Sequence, residues 1–279
     1  MRGGEWHISA EFVAKQSQPV AVSVIIPCYQ GGATIGRALA SVAAQSCKPW
    51  EVIIVDDGSD TKNRNRLQGL IEKYDSGWLR VYFLDKNQGP ASARNFGWAR
   101  ARAPFVAFLD ADDSWHRDKI ALQFAFMQRN PDISICSHSC GGEASLVRSI
   151  PQKFQITNYT FKKLLFCNRL QTPTVMLKRD LVLRFPETVR YSEDYYLWLA
   201  LLKIGYTTAF INLPLTAIHK PAFGYSGLSA ELWQMEKGEL KALQATWNRG
   251  SVSLLRFGTA VSWSLSKYCR RVLLSIVRT

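Results

Sequence analysis

The sequence has no apolar segment long enough to cross a membrane. Its longest unbroken apolar run, residues 195–202, has eight residues, whereas a transmembrane helix needs about 20. Residues 1–6 contain no apolar core of the length that a signal peptide requires. The six cysteines are scattered, several of them inside apolar runs, which favours reduced thiols over a disulfide framework. We therefore expect a cytoplasmic protein.

Two common nucleotide-binding signatures are also missing. The glycines that follow the first apolar strand, Gly31, Gly32 and Gly36, do not form Gly-x-Gly-x-x-Gly, and no Gly-Lys-Ser/Thr occurs in the chain. These absences argue against a dinucleotide-dependent oxidoreductase and against a P-loop NTPase. If a nucleotide binds, carboxylates and a metal ion must hold it.

Acidic residues are few, with 22 Asp and Glu against 35 Lys and Arg, for a net charge of +13. This balance predicts an anionic partner, which could be nucleic acid, an acidic membrane surface or a phosphorylated ligand. The sequence contains no zinc-finger or RNP-like element, so no motif supports specific recognition of nucleic acid.

Apolar strands and helical segments alternate through the first half of the chain. Strands are predicted over 20–26, 50–55, 79–84 and 105–109, with helices between them, and this order is typical of βαβ units in a parallel sheet. A further strand is predicted in the second half of the chain, over 172–177. The chain is then an α/β protein whose ligands bind at the carboxyl ends of its strands. We expect a loosely held lead-in (1–18), one large domain (19–230) and a helical C-terminal segment (231–279).

Carboxylates follow two of these strands. Asp110 and Asp112 leave the strand 105–109 on the same side, roughly 7 Å apart at the backbone. A hard divalent cation that also binds phosphate oxygens is their natural partner. The alternative is a polar turn in which Asp113 or Ser114 caps a helix that begins at Trp115. Residues 56–60 end another strand and should line the same crevice, or form a plain turn.

Five motifs follow one another at ordinary distances: VSVIIPCY (22–29), QS (45–46), VDDGS (55–59), G-x-x-x-A-R-N (89–95) and FLDADD (108–113). Together they resemble the inverting glycosyltransferases of family 2, which have the GT-A fold, and the likeness covers roughly residues 20–220. The resemblance implies a Rossmann-like, mostly parallel sheet flanked by helices. It also implies transfer of a sugar from a nucleotide-sugar donor to a hydroxyl, with Mg²⁺ or Mn²⁺, at the cytosolic membrane face.

The same resemblance assigns roles to residues on the donor side. It implies that the turn from Pro27 to Tyr29 lies against the base and that Asp57 accepts a hydrogen bond from the base or the ribose. Arg94 approaches the nucleotide phosphates. Asp110 and Asp112 form the Asp-x-Asp pair, in which Asp112 is the metal ligand.

On the acceptor side, the family carries a Glu-Asp pair at the head of a helix, and Glu193 and Asp194 match it. The resemblance implies that Asp194 is the general base and that Glu193 supports it. The alternative is ordinary capping of a helix by acidic residues. Family members also place a histidine on the metal in the region of His219, but the spacing here is inexact, which leaves His219 and Lys220 open.

Two further patterns have competing interpretations. Cys136, His138 and Cys140 lie on one face of a predicted strand. They are either ligands of a soft metal ion, with no evident fourth ligand, or residues that share a face because strand side chains alternate.

From residue 240 onward there are seven basic residues and no acidic one. Six of them fall on one face of a helical wheel, opposite a line of apolar side chains. Such a basic amphipathic helix suits an anionic membrane surface or packs on the catalytic domain.

The sequence therefore predicts a metal-dependent inverting glycosyltransferase that uses a nucleotide-sugar, typically a uridine one. Its acceptor would be a glycan or a lipid-linked sugar in cell-surface polysaccharide synthesis, and it would be peripheral at the inner face of the membrane. Two alternatives stay open. One is a nucleotidyltransferase on a similar sheet, and the other is a non-catalytic basic protein that binds membrane or nucleic acid.

Overall fold

The structure, a computed structural model, describes residues 4–7, 19–74, 77–220, 231–248, 250 and 252–277. Within these ranges the chain forms one mixed ten-stranded sheet and eight α-helices. The strands are β1 (Gly4–His7), β2 (Val20–Cys28), β3 (Pro49–Asp56), β4 (Leu79–Phe83), β5 (Phe105–Phe108), β6 (Ser114–Trp115), β7 (Ile135–Gly141), β8 (Lys153–Thr157), β9 (Met176–Lys178) and β10 (Thr208–Ala217). The helices are α1 (Ile35–Ala43), α2 (Thr61–Ile71), α3 (Pro90–Arg100), α4 (Lys119–Arg129), α5 (Phe161–Leu164), α6 (Glu193–Lys203), α7 (Leu232–Asn248) and α8 (Leu254–Val277).

The centre of the sheet consists of two parallel groups joined by one antiparallel strand. Strands β8 and β6 pair antiparallel with β10, and β1 pairs antiparallel with β8. The order of the sheet is β1-β8-β10-β7-β9-β5-β2-β3-β4, and β6 pairs with β10 at the side of this path. Strands β5, β2, β3 and β4 run parallel, as do β7 and β10. Strand β9 is antiparallel to both β5 and β7 and connects the two groups. The predicted α/β class is confirmed.

The local sequence explains the central elements. Strands β2 and β3 are rich in β-branched residues and are covered on both faces, so nearly all their side chains are buried. Helix α1 buries Ile35, Ala38, Leu39 and Val42, a spacing that puts one apolar stripe on the sheet. Helix α3 begins with Pro90 directly after Gly89, whose φ of +92° favours glycine. Because β2, β3 and β5 are parallel neighbours, their carboxyl ends meet at one edge of the sheet.

Three expected elements differ from those observed. The helix expected at Trp115 begins at Lys119, because Ser114 and Trp115 pair with β10 as the short strand β6. Residues 4–7, assigned to a loose lead-in, form the edge strand β1 on β8. The strand expected over 172–177 shortens to β9, since residues 172–174 form a 3₁₀ turn.

The C-terminal segment is helical, as predicted, but its basic face is divided. Helices α7 and α8 pack on each other, and Arg271 of α8 donates to Glu236 Oε2 (3.0 Å) and Glu239 Oε1 (3.1 Å) of α7. Lys267 also contacts Glu239 (3.1 Å). Lys267 and Arg271 of the basic face therefore contact acidic residues of α7, and the two interpretations of this face, membrane contact and packing on the protein, stay predictions. No helix in the described ranges is long and apolar enough to cross a membrane.

Candidate active site

Three carboxylates lie in the turn that follows β5. The Asp113 amide closes this turn by donating to the Asp110 carbonyl oxygen (3.1 Å). The Lys220 ammonium forms an ion pair with the Asp112 carboxylate, and the Arg37 guanidinium donates to the Asp112 carbonyl oxygen (2.6 Å). Two cations thus lie against a turn that concentrates negative charge.

Asp113 is the buried member of this cluster. Its pKa is raised to about 8 by burial and then by the charges of Asp110 and Asp112, since a low dielectric and like charges both disfavour the ionised form. The His219 backbone amide, 3.4 Å from Asp113 Oδ1, opposes this shift. At a pKa of about 8 Asp113 is mostly protonated at neutral pH, so Asp110 and Asp112 are the carboxylates of this turn that a divalent cation would use.

His219 lies beside the same turn. Its Nε2 is 2.8 Å from the Ser114 hydroxyl, and its pKa is lowered by burial and then by the Arg37 charge. A lowered pKa keeps the imidazole neutral, the form that can bind a metal. The structure thus brings His219 and Lys220 to the Asp-rich turn, and His219 as a metal ligand remains a prediction.

Arg94 connects this turn with the acidic pair at the head of α6. Its side chain is 7% exposed, and it donates to Glu193 Oε1 (2.7 Å) and to Asp110 Oδ1 (2.9 Å). Although burial lowers the pKa of Arg94, the charges of Asp110 and Glu193 raise it overall, so the guanidinium stays charged. The resemblance implied contact with phosphates for Arg94 and did not foresee this bridge.

Asp194 is held at the first turn of α6 by three donors. Its Oδ1 accepts from the Tyr195 amide (2.6 Å), and its Oδ2 accepts from Asn168 Nδ2 and Thr172 Oγ1 (3.3 Å each). Burial and then the neighbouring Glu193 charge raise the pKa of Asp194 to about 7. A carboxylate that binds a proton near neutral pH can act as a general base. Sequence reasoning missed Asn168 and Thr172, because no motif marks them.

Asp57 is fixed by the loop that precedes α3. The Gln88 amide donates to its Oδ1 and the Gly89 amide to its Oδ2, both at 2.8 Å. Burial raises the pKa of Asp57 although these two donors lower it. Nearby, Gly58 has a φ of +75°, and a Cβ there would lie 2.4 Å from the Lys86 carbonyl carbon. Only glycine allows the two backbones to approach so closely.

The turn after β2 faces the same crevice edge. Tyr29 is 53% exposed, a high value for an aromatic side chain beside a buried strand. This turn comes shortly after Pro27. The Gln30 amide donates to the Ser59 hydroxyl (2.9 Å) and so connects it to the turn after β3. The Asp57 amide also donates to the carbonyl oxygen of Cys28, the residue before Tyr29 (2.8 Å). The exposed Tyr29 ring has the chemistry of a platform for a nucleotide base.

The carboxylates of the Asp-rich turn fit an open metal site and do not form an enclosed one. Within the described ranges no three His, Cys, Asp or Glu side chains form a metal cage. Mg²⁺ usually needs one or two carboxylates and takes its other ligands from substrate phosphates and water, and Asp112 with Asp110 fits that type. The zinc interpretation of Cys136, His138 and Cys140 receives no support, since the Cys140 thiol instead lies 2.7 Å from Gln171 Oε1.

Comparison with known proteins decides the family. A model of the family described as glycosyl transferase family 2 matches residues 23–182, more than half of the chain. The chain belongs to glycosyltransferase family 2. All five motifs lie within or at the border of the matched region. The family assignment favours a glycosyltransferase over a nucleotidyltransferase or a non-catalytic binding protein.

Two curated relatives of this family 2 glycosyltransferase carry names that state a glycosyl transfer or a biosynthetic role. The teichuronic acid biosynthesis protein TuaG of Bacillus subtilis is 36% identical over 68% of this chain and 75% of its own. The Escherichia coli enzyme WfgD, a UDP-Glc:alpha-D-GlcNAc-diphosphoundecaprenol beta-1,3-glucosyltransferase, is 34% identical over 65% of this chain and 70% of its own. Two longer Rickettsia relatives are 36% and 34% identical, and this chain covers only 32% of the length of each.

Solved structures give the fold of the family 2 glycosyltransferase. Staphylococcus aureus TarS 1–349 in complex with UDP-GlcNAc has a TM-score of 0.66 at 20% identity, over 88% of this chain and 71% of its own. The mannosyltransferase PcManGT of Pyrobaculum calidifontis, in complex with GDP-Man and Mn²⁺, has a TM-score of 0.65 at 18% identity, over 94% and 77%. The predicted GT-A fold is confirmed.

Proposed function

We propose that the protein is an inverting, metal-dependent glycosyltransferase that moves a sugar from a UDP-sugar to a hydroxyl of a glycan or a lipid-linked acceptor. The relatives named for surface polymers support a place in cell-surface polysaccharide synthesis. The UDP-GlcNAc complex of TarS and the name of WfgD support a uridine donor. In this proposal residues 19–230 are the catalytic domain and 231–279 a membrane-associating segment.

The observation that carries the proposal is the bridge from Asp110 through Arg94 to Glu193. It fixes the head of α6 relative to the Asp-x-Asp turn, although the two segments are far apart in the sequence. Asp194 is the residue after Glu193 and is therefore held at a defined place relative to the Asp-x-Asp turn. A base and a leaving-group site that are positioned together are what a direct displacement needs.

In the proposed reaction Asp194 accepts the proton of the acceptor hydroxyl. The hydroxyl oxygen then attacks the anomeric carbon from the face opposite the nucleotide, and a new C–O bond forms as the bond to the diphosphate oxygen breaks. The diphosphate leaves with the bonding electron pair, which inverts the configuration at the anomeric carbon. Glu193 supports Asp194 by holding Arg94 and by keeping the pKa of Asp194 high.

A divalent cation, Mg²⁺ or Mn²⁺, would be held by Asp112, with Asp110 and His219 beside it. When bound, such an ion neutralises charge that a leaving diphosphate gains. The Mn²⁺ present with PcManGT supports this assignment. On the nucleotide side, Asp57 would accept from the base or ribose, and Pro27 and Tyr29 would lie against the base. Arg94, which bonds Asp110, would approach the phosphates.

Thermal stabilisation by nucleotide-sugars tests the proposed function. We expect a UDP-sugar, screened with GDP-mannose as the comparison, to raise the melting temperature in the presence of Mn²⁺ and far less in its absence. A ligand at 100 times its Kd stabilises the native state by about 2.7 kcal/mol. If no nucleotide-sugar shifts the melting temperature with or without Mn²⁺, the proposed donor chemistry is wrong.

The outer face of α8 is the proposed contact with an anionic membrane. Leu255 is 78% exposed, Leu273 63% and Trp263 52%, and Arg256 and Arg270 are exposed beside them. A helix face that combines large apolar side chains with arginines and lacks acids suits the headgroup region of an anionic bilayer. Such a contact would place the crevice near a lipid-linked acceptor.

Vesicle co-sedimentation tests this contact. We expect the full chain to co-sediment with vesicles that contain phosphatidylglycerol at low salt, and to be released at ~0.5 M NaCl, where the Debye length is only a few ångströms. Replacing Leu255, Trp263 and Leu273 together by Gln should abolish binding. The matched control replaces the exposed Ser262 and Ser266 by Gln and should bind normally. Wild-type protein that ignores these vesicles at low salt would contradict the proposal.

A further inference from the structure

Helix α7 lies directly against the turn that leads into the acidic pair. A Cβ added to Gly238 of α7 would be 2.3 Å from the Tyr191 carbonyl oxygen and 2.8 Å from its carbonyl carbon. No side chain fits in that space, so the contact between α7 and this turn depends on glycine at 238. Glycine in a helix interior is unfavourable relative to alanine, and here the close approach accounts for it.

The next residue, Ser192, has an unusual backbone conformation. Its φ of +57° is in the left-handed region, which is uncommon for a residue other than glycine and persists only where the surroundings hold it. The Ser192 hydroxyl donates to the Met235 carbonyl oxygen of α7 (3.2 Å), and the residue is 6% exposed. Helix α7 therefore holds both Tyr191 and Ser192, immediately before Glu193.

Helix α8 in turn locks α7. Glu236 is fully buried, and its Oε2 accepts from Arg271, while Glu239 accepts from Arg271, Lys267 and the Ser264 hydroxyl. A buried ion pair resists the separation of its partners, because separation would leave a charge unpaired in a low dielectric. The two helices consequently form a fixed support behind the turn.

We propose that Gly238 and Ser192 are positioning residues, through which the α7–α8 pair sets the backbone turn that aims Glu193 at Arg94 and Asp194 at the acceptor hydroxyl. This inference rests on the proposed role of Asp194 as the general base. It adds that the base is aimed by the C-terminal helices as well as by the sheet. In the part of the chain that the structure describes, Gly238 lies against Tyr191 and the Ser192 hydroxyl bonds Met235, so their effect on Asp194 must pass through the turn.

The decisive comparison is Gly238→Ala against Gly258→Ala. Both glycines lie in the helix pair, but a Cβ at Gly258 meets no atom within 4 Å. The readout is a ¹³C NMR titration of aspartate carboxyls, in which the Asp194 signal is assigned from its absence in Asp194→Asn. Wild type should titrate near pH 7. Gly238→Ala should lower the midpoint by about half a unit or more, because a displaced turn admits water, and Gly258→Ala should not.

Two further measurements separate positioning from general damage. UDP binding with Mn²⁺ should be unchanged in Gly238→Ala within about threefold. The kcat for hydrolysis of UDP-glucose, in which water takes the place of the acceptor hydroxyl and receives the glucosyl group, is followed as UDP release and should fall about tenfold or more. An Asp194 midpoint in Gly238→Ala equal to that of wild type would overturn the inference. So would an equal loss of kcat and UDP affinity, which indicates a merely structural defect.

If Gly238→Ala does not fold, Ser192→Ala tests the inference in its place, because it removes only the hydroxyl that bonds the Met235 carbonyl oxygen. A lowered Asp194 midpoint in Ser192→Ala supports the inference, and an unchanged one refutes it. Asp194→Asn in the same UDP-release assay tests the proposed function separately. If Asp194→Asn keeps its turnover, the base assignment fails whatever the glycine variants show.

Discussion

An Asp194→Asn variant is expected to lose turnover by about three orders of magnitude while its affinity for the donor stays nearly unchanged. The amide has the shape of the carboxyl group but cannot accept a proton, and general base catalysis contributes roughly 10²–10⁴-fold. The hydrogen-bond partners of Asp194 are Tyr195, Asn168 and Thr172, none of which belongs to the donor motifs. Calorimetric titration with a UDP-sugar and Mn²⁺, together with a UDP-release assay, measures both quantities.

The matched control for this variant is Asp180→Asn, which makes the same change at an exposed carboxylate after β9. It should leave turnover and donor affinity at wild-type values. If Asp194→Asn weakens donor binding as much as it lowers turnover, Asp194 binds the donor and is not the base.

The same carboxylate sets the pH dependence of the wild type. Its pKa is raised to about 7 by burial and then by Glu193, so below pH 7 most of the protein carries a protonated Asp194 that cannot accept a proton. The kcat should therefore rise about tenfold per pH unit up to pH 7 and level off above it. An acid limb near pH 4 would exclude a base with this environment.

An Asp112→Asn variant is expected to lose the effect of metal on donor binding. We expect UDP to bind at least about 100-fold more weakly in the presence of Mn²⁺, which corresponds to about 2.8 kcal/mol. A neutral amide is a poor ligand for a hard divalent ion, and the diphosphate would then lack a cation to neutralise its charge. The measurement is a calorimetric titration of UDP with and without Mn²⁺.

Uridine supplies the control for Asp112→Asn, because it carries the base and ribose but no phosphate. Its affinity should be equal in wild type and variant, and independent of Mn²⁺. Without metal, wild type and variant should bind UDP equally weakly. A variant that retains Mn²⁺-dependent UDP binding would remove Asp112 from the metal site.

The sequence predicted those parts of the site that follow from local pattern. Strand ends are marked by apolar runs that stop at polar turns, so the places of Asp57 and Asp110 at one edge of the sheet could be read from periodicity alone. The family resemblance added Asp194 and its helix. Both kinds of inference use contiguous residues, and the structure places the corresponding elements within one or two residues of the predicted positions for β2, β3 and α6.

Contacts between distant segments could not be predicted in this way. Arg94 and Glu193 are 99 residues apart, and nothing in either segment specifies the other. The ion pairs between α7 and α8 could not be predicted for the same reason, because a helical wheel shows the charges of one helix and not Glu236 and Glu239 of its neighbour. The start of α4 was misplaced because the pairing of β6 with β10 overrides a local capping signal.

The place of β9 in the sheet has a consequence for folding kinetics. Phe105 of β5 pairs with Lys178 of β9, and Ile135 of β7 pairs with Leu177 of the same strand, so the two parallel groups are joined only after long loops have closed. Long-range pairing slows folding, since chain entropy is lost before the contacts form. The junction between the two groups should therefore form late, and pulsed hydrogen exchange during refolding should show β9 among the last strands to gain protection.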